Sequence, residues 1–322
     1  MKKKIDMQKV LAPAALVILY VFFSFTGRNF FGYEGLKQIL QSCYYIGYMA
    51  FGITFVIITG GIDLSLGTNM MCSALLGGVA YSVWGWPLVP SLVFVLLVGV
   101  FFGLCNGVMI AKLKLPPFIA TLGTQMITMG FGSIISGVRT MYYPTVGSPD
   151  EWFRSVFYIH GKFPTGAVWL IGAFCVAWFL LNKTRFGRNV YAIGSNEEAT
   201  RLSGVQVDKW KIAVYVVCGL FTAMAGIFYG AAYTTIIPGK GNGEEMNGIA
   251  AVVIGGTSMA GGSGTMLGTL LGVLIMATLK KGLASVGLQA HWQTFFTGFV
   301  VIGAVLLDNL RNSAAQKAAK KG

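Results

Sequence analysis

Residues 182–211 read NKTRFGRNVYAIGSNEEATRLSGVQVDKWK. The stretch carries six Lys or Arg side chains against three acidic ones, yet apolar runs long enough to cross a bilayer flank it on both sides. A segment of that polarity lies in water, and membrane proteins keep Lys- and Arg-rich loops in the cytoplasm. We therefore predict a cytoplasmic loop between two membrane spans, and the rest of the chain is assigned from it.

Within this loop the sequence predicts a short helix whose two ends are marked. Ser195 and Glu198 have the S-x-x-E spacing of a capping box, and Gly204 suits the C-terminal cap. Ala199 and Leu202 fall on one face of the helix. Two turns are too few to be stable alone in water, so either the membrane domain or a partner protein must hold the helix. An ordinary polar loop is the alternative interpretation.

The composition identifies the class of protein. The 322 residues are 55% hydrophobic and 11% charged, with a mean hydropathy of +0.69, whereas soluble domains carry about 25% charged residues. The chain is predicted to be an all-α polytopic membrane protein with about ten transmembrane helices, since a span needs ~20 apolar residues. The first apolar segment ends at about residue 26, and the others run at roughly 43–60, 65–84, 87–111, 117–138, 165–181, 211–232, 246–259, 264–280 and 291–309.

Ten spans with residues 182–211 inside place both termini in the cytoplasm. We assign 1–310 to a transmembrane domain and 311–322 to a disordered cytoplasmic tail near anionic lipid. About 16 of the 24 Lys and Arg then lie inside, the bias expected of a correct orientation. Lys280 and Lys281 fall outside, so they either reach the interface or reveal an error in the spans at 246–284.

The net charge of +13 and the five cysteines do not indicate other functions. No basic stripe with interleaved aromatic residues lies outside the apolar segments, so nucleic-acid binding is not expected. The cysteines form no C-x-x-C pair, which argues against a disulfide framework or a metal site.

Asp63 is a carboxylate enclosed between two long apolar runs, which makes it the default candidate for function. It either caps the helix that follows or faces a translocation path, and the two roles are compatible. Nearby spans carry uncharged polar groups that could bind neutral hydroxyls or join helices. They are Asn106, Thr121, Thr124 and Gln125.

The sequence contains two similar stretches, an internal repeat that we name the internal echo. VIITGGIDLSLGTNMMCSALLG, from Val56, and VVIGGTSMAGGSGTMLGTLLG, from Val252, share a Gly-Gly pair and a Gly-Thr element. Transporters are often built from repeats whose broken helices line the central path. The echo therefore points to Gly60, Gly61, Gly255 and Gly256, and leaves open whether the repeat is parallel or inverted. Alternatively, the small residues only let helices pack closely.

The chain lacks the features of a self-powered transporter. Ion-coupled carriers need carboxylates or histidines within their spans, and here Glu244 and Glu245 are assigned to loops. The phosphate-binding pattern G-x-x-x-x-G-K-[ST] is absent, because GGSGTMLG at Gly261–Gly268 has no lysine. We expect no catalytic residue, cofactor or metal, and an ATPase on a separate subunit.

Four stretches carry a family resemblance, and they occur in the family's order. They are GGIDLSLGTNM (Gly60–Met70), LPPFIATLGT (Leu115–Thr124), TRFGRNVYAIGSNEEATRLSGV (Thr184–Val205) and AAVVIGGTSMAGGSGTMLGTLLG (Ala250–Gly272). Together they resemble the permease subunits of bacterial ABC importers for ribose, galactose and xylose, in the branched-chain amino acid/sugar permease superfamily. The resemblance implies a vitamin-B12-importer-like (type II) permease fold in the inner membrane.

The resemblance implies the coupling helix, and the echo, Asp63 and the polar groups in the spans indicate the translocation path. The coupling helix, which docks on the ATPase, would comprise Ser195, Asn196, Glu197, Glu198, Ala199, Thr200, Arg201, Leu202, Ser203 and Gly204. The translocation path would be lined by Gly60, Gly61, Asp63, Ser65, Asn106, Phe118, Thr121, Thr124, Gln125, Gly255 and Gly256.

The implied partners are an ATP-binding-cassette subunit, a second permease copy or close paralogue with the path between the two, membrane lipid, and an extracytoplasmic sugar-binding protein. The aromatic-rich loop at 139–164 would receive that binding protein or form an interfacial belt. A nucleoside or branched-chain amino acid is the alternative substrate. A self-sufficient secondary carrier is the rival function.

Overall fold

The computed structural model describes residues 7–319. Ten helices correspond to the ten predicted apolar segments. They are α1 (Met7–Thr26), α2 (Tyr33–Ile58), α3 (Leu66–Ser82), α4 (Leu88–Ala111), α5 (Pro117–Ile135), α7 (Thr165–Lys183), α10 (Val207–Tyr233), α11 (Glu244–Ile254), α12 (Met266–Ser285) and α13 (Ala290–Ala319).

Six of these helices are long and apolar enough to cross a membrane: α2, α4, α5, α7, α10 and α12. The predicted count of about ten crossings is thus not confirmed among the described residues. α11 has 11 residues and α3 has 17, and both adjoin the glycine-rich segments that the internal echo marked. We name residues 59–65, between α2 and α3, the first break, and residues 255–265, between α11 and α12, the second break.

The remaining elements are short. They are β1 (Met141–Tyr142), α6 (Trp152–Phe157), α8 (Arg185–Ser195), α9 (Glu197–Leu202) and β2 (Thr235–Ile236). β1 and β2 pair antiparallel, with Met141 opposite Ile236. The pairing brings the segments after α5 and after α10 to one side of the bundle, which we name the β face. The opposite side, which carries α8 and α9, is the α9 face.

Glycine spacing explains the extensive packing of α4 on α10. Gly99, Gly103 and Gly107 recur every four residues on one side of α4, so they form a smooth stripe. A side chain at Gly99 would come within 2.7 Å of the carbonyl oxygen of Gly219 on α10. Backbones this close leave no room for any larger residue. The glycines of α4 and α10 therefore serve to let these two helices pack closely.

Helix α2 forms the centre of the bundle, with nearly every residue from Ser42 to Ile58 buried. Its aromatic side chains pack on α10, where the rings of Tyr48 and Phe228 stack with centroids 4.6 Å apart. α2 begins about ten residues before the predicted span, because Tyr33–Ser42 continue the helix into the β face.

Two further expectations are corrected. Residues 311–319 continue helix α13 and are not a disordered tail, while 320–322 and 1–6 lie outside the described residues. Glu244 and Glu245 are not in a loop: they form the first turn of α11, where carboxylates are favoured by the helix dipole.

Candidate coupling helix and translocation site

The short helix predicted in the loop exists, but a different residue caps it. The N-cap of α9 is Asn196, whose Oδ1 accepts a 2.9 Å hydrogen bond from the backbone N–H of Ala199. The predicted capping box of Ser195 and Glu198 is therefore wrong by one residue. The helix ends at Leu202, and Gly204 follows it with φ of +87°, the left-handed conformation expected of a C-terminal glycine.

A chain of ion pairs fixes α9 to the membrane helices. Glu197 lies 2.5 Å from the Nζ of Lys211 on α10, and Arg201 lies 2.8 Å from Asp208. Asp208 is also 3.0 Å from Lys114, in the turn between α4 and α5. Single surface pairs contribute about 1 kcal/mol or less. Linked together, they set the orientation of a helix too short to be stable by itself.

The electrostatics of Glu197 reflect this attachment. Partial burial alone would raise the pKa of its carboxyl group, but hydrogen bonds and charge attraction from Lys211 and Arg201 prevail and lower it below its ordinary value. Glu197 is therefore ionised at neutral pH and holds both cations.

The outward face of α9 presents an apolar residue to solvent. The side chain of Leu202 is 89% exposed, and its neighbours Glu198 and Ala199 are also exposed. Thr200 points the other way and is buried. Nothing in the described chain covers this face. Ion pairs thus hold one side of α9 against α10, and its other side is exposed to solvent.

Behind α9, the end of α8 and the start of α9 pack against the end of α2 and both breaks. We name residues 191–197 the α8–α9 joint. A methyl group at Gly194 would overlap the carbonyl oxygen of Ile58, which precedes the first break, and would lie 2.6 Å from the N–H of Gly262 in the second. The hydroxyl of Tyr191 donates a 2.7 Å hydrogen bond to the carbonyl of Gly264. The second break also meets the end of α2 directly, since Gly262 N–H donates to Ile58 O over 2.8 Å. One contact region thus joins the candidate coupling helix to the end of α2 and to the second break.

Five of the eleven predicted path residues form one buried hydrogen-bond network. Asp63 Oδ1 accepts from the backbone N–H and the Oγ–H of Ser65, at 2.9 and 2.6 Å. Asn106 Nδ2 lies 3.0 Å from Ser65 Oγ and 3.4 Å from Asp63 Oδ2. Thr124 donates to Asn106 Oδ1 over 2.5 Å, and Thr121 accepts from the N–H of Leu64 over 3.1 Å.

This network is closed off from solvent, since its five side chains are each at most 3% exposed. Asp63 bonds to Ser65, the N-cap residue of α3, and so it shapes the turn before the helix instead of capping the helix itself. Every polar group named in the network has a partner, and the three helices α3, α4 and α5 meet there. The arrangement fixes the first break in place.

The other predicted path residues lie apart from that network. Gln125 Nε2 donates to Asn242 Oδ1 and Glu245 Oε1, both at 3.2 Å, in a second polar cluster between α5 and α11. Phe118 is 52% exposed on the outer surface of α5. The glycines Gly60, Gly61, Gly255 and Gly256 lie in or beside the two breaks, near the α9 face.

Sequence reasoning missed a third polar cluster, close to the β face. Lys280 Nζ lies 3.2 Å from Glu244 Oε1 and 2.6 Å from the hydroxyl of Tyr45, and Asn247 Nδ2 donates to Glu244 Oε2 over 2.8 Å. Lys281 contacts Gln38. Two features of the sequence could have indicated this cluster. One is that Lys280 and Lys281 fall on the outer side, against the charge bias. The other is the sequence GEEMNG, in which two acidic residues after a glycine are typical of the start of a helix.

This chain resembles known proteins over most of its length. The family model described as the branched-chain amino acid transport system permease component matches residues 35–305. The ribose import permease protein RbsC of Escherichia coli K12 is 42% identical over 307 residues, covering 92% of each chain. RbsC of Bacillus subtilis 168 is 37% identical, covering 95% of this chain and 94% of its own. The fructose import permease protein FrcC of Rhizobium meliloti is 34% identical, covering 94% and 88%.

The fold is also similar to that of a solved structure. A metal-chelate type ABC transporter in an inward-facing conformation superposes with a TM-score of 0.50 and covers 95% of this chain and 98% of its own. Because the identity is 15%, the likeness concerns the fold alone. The helical arrangement is that of an ABC transporter permease.

Proposed function

This chain belongs to the permease components of the branched-chain amino acid transport system family, and on that basis we propose that it conducts a monosaccharide for an ATP-binding-cassette importer. Relatives that share 34–42% of its residues are named for ribose and fructose import. Those names favour a sugar over the amino acid or nucleoside that the sequence left open. The chain is a transport subunit of a multi-pass inner-membrane system, and ATP hydrolysis belongs to another subunit.

The observation that carries the mechanism is the position of α9. It is held from behind by Lys211 and Asp208 and offers the exposed Leu202 in front. An exposed apolar residue with a polar surround suits a protein partner, because covering its apolar surface removes that surface from water, which is favourable. We assign this partner as the ATP-binding-cassette subunit, which places the α9 face in the cytoplasm and the β face outside.

The same joint supplies a route for the movement. When the ATPase subunits close on ATP, they would displace α9, and the α8–α9 joint would push on both breaks through the contacts of Gly194 and Tyr191. The breaks adjoin the Asp63 network and the start of α12. Rigid-body rocking of one group of helices against another is a known way to open a path on one side and close it on the other.

The path itself is proposed to lie between two copies of the permease, along α5. Met126 and Ile127 are exposed there beside the partly exposed Gln125 and the exposed Asn242. Amide groups facing lipid are costly. A second copy would cover the apolar residues and leave the amides lining an aqueous path. An extracytoplasmic sugar-binding protein would deliver the sugar to the β face.

The orientation can be tested with reporter fusions. Fusions at Gly194 and after Asn312 should report the cytoplasm, and a fusion at Ser148 should report the exterior. An exterior signal at Gly194 would remove the proposed coupling helix from reach of any ATPase.

The function is tested by co-purification with the ATPase subunit and by sugar uptake. Leu202→Glu puts a charge at the centre of the exposed face and should abolish both, while the protein still inserts in the membrane. The matched control is Val146→Glu, because Val146 is equally apolar and 73% exposed but lies between β1 and α6 on the β face; it should keep the ATPase bound. Ala199→Arg should resemble Leu202→Glu. Normal uptake in both variants would favour a self-sufficient carrier.

A further inference from the structure

A cavity with an apolar wall and a group of polar side chains lies between α11, α12 and α13, near the β face and away from the Asp63 network. Its volume is about 440 Å³, within the range of small-molecule sites. The lining includes Glu244, Asn247, Lys280, Gln293 and Thr297. A smaller cavity of about 180 Å³ shares Lys280 and Gln293 with it and includes Gln38 and Gln41 near the start of α2. The two cavities therefore adjoin at Lys280 and Gln293, near the β face.

The charges in this cavity are already balanced. Lys280 and Glu244 pair with each other at 3.2 Å. The lysine also donates to Tyr45 and the glutamate also accepts from Asn247. Ionisable residues within a membrane bundle are costly and usually serve a function. Because each charge is neutralised, a charged ligand would have to break the pair, whereas a neutral ligand would not.

The rest of the lining suits a molecule with many hydroxyl groups. Gln293 and Thr297 on α13 and Asn247 on α11 can both donate and accept hydrogen bonds. Met246 and Val301 supply an apolar wall for the C–H faces of a sugar ring. We infer that this cavity is an entry site that binds a neutral monosaccharide within a single permease chain, before the sugar reaches the path between two copies. The ligand class rests on the proposed function; the location of the site does not.

The test is saturation-transfer NMR on the purified full chain in phospholipid nanodiscs, with D-ribose, D-fructose and D-galactose as probes. We expect at least one of the three to give a signal. Thr297→Phe fills the cavity without touching the ion pair and should reduce that signal to the level of empty nanodiscs. Thr26→Phe, the same change at an exposed site on α1, should leave it intact. No signal from any sugar, or a full signal in Thr297→Phe, would overturn the inference.

Two further measurements define the ligand class. Glu244→Gln leaves Lys280 without its counter-charge, so the cavity should now bind D-ribose 5-phosphate, which the unmodified protein should reject. If L-leucine gives the signal that depends on Thr297 and the sugars do not, the site takes a zwitterion and the inference is wrong. Uptake by cells that hold all the subunits separates the two proposals. Sugar uptake without a cavity signal refutes only this inference, and absence of sugar uptake refutes the proposed function.

Discussion

The backbone N–H of Gly262 donates a 2.8 Å hydrogen bond to the carbonyl oxygen of Ile58. This bond joins the second break to the end of α2 just before the first, although the two residues are about two hundred positions apart in the chain. Gly194, at the end of α8, lies against both partners. Both breaks and the loop that carries α9 therefore meet in one contact region, and in the proposed mechanism a displacement of α9 would reach both breaks at once.

Gly194→Ala should uncouple the transporter. The added methyl group would overlap Ile58 O, and overpacking of this kind costs about 1–3 kcal/mol. We expect a lower melting temperature and reduced sugar uptake, with the ATPase still bound because the outer face of α9 is unchanged. Gly172→Ala is the matched control, since its surroundings on α7 are open; it should be neutral or stabilise by up to about 1 kcal/mol. Equal uptake in the two variants would rule out transmission through this joint.

Substitutions at Asp63 should separate hydrogen bonding from charge. Asp63→Asn keeps the Oδ1 acceptor for Ser65 and should lose little stability. Asp63→Leu leaves the backbone N–H and the Oγ–H of Ser65 without their acceptor in a buried site, at about 1–3 kcal/mol for each. Thermal unfolding in detergent and the yield of inserted protein are the measurements. If the Leu variant is as stable as the Asn variant, the network does not hold the first break.

Asn196→Ala should weaken α9, while Ser195→Ala should not. Loss of an N-cap side chain costs about 1 kcal/mol, and here that side chain is the Asn196 amide bonded to Ala199 N–H. Hydrogen exchange of the α9 amides should accelerate only in the Asn196 variant. Faster exchange in Ser195→Ala instead would support the predicted capping box of Ser195 and Glu198.

Acid should loosen α9 through Glu197. Its pKa in the folded protein lies below the unfolded value, so its ion pairs stabilise the folded state fully above the unfolded pKa, about 4.3, and lose that effect as the pH falls through the folded pKa. A spin label on Leu202→Cys, in a Cys175→Ser background, should gain mobility below about pH 4.3. Glu197→Gln should make the label mobile already at pH 7 and remove that acid step. A label whose mobility is the same in both proteins at pH 7 would exclude Glu197 as the anchor.

Local patterns in the sequence account for much of the architecture. The apolar segments predicted ten helices near their observed positions, because burial in lipid forces backbone hydrogen bonds to close within each segment. The glycine pairs after Val56 and after Val252 located both breaks. The loop at residues 182–211 was recognised from its charge, and its short helix from its end signals. These are properties of contiguous residues.

The sequence located some helix ends and caps less well. Ser195 and Asn196 are both good N-cap residues. Which of them caps α9 depends on where α8 ends, and Gly194 at that end packs against the carbonyl of Ile58. Glu244 and Glu245 were placed in loops because their partners, Lys280 and Gln125, are far away in the chain. A carboxylate can lie in a buried first turn of a helix only if it has a partner there. In this chain those partners come from α12 and α5.

The sequence by itself determined that this chain is a helical membrane protein with two glycine-rich breaks between helices and a charged loop outside the apolar spans, because hydropathy, glycine pairs and charge bias act over neighbouring residues. Only the tertiary structure decided which polar residues meet. Asp63, Asn106 and Thr124 join in one buried network, while Gln125, one residue further along α5, turns to Glu245. Adjacent positions on a helix point about 100° apart, so the packing of α5 between its neighbours, and no local pattern, assigns each side chain to its site.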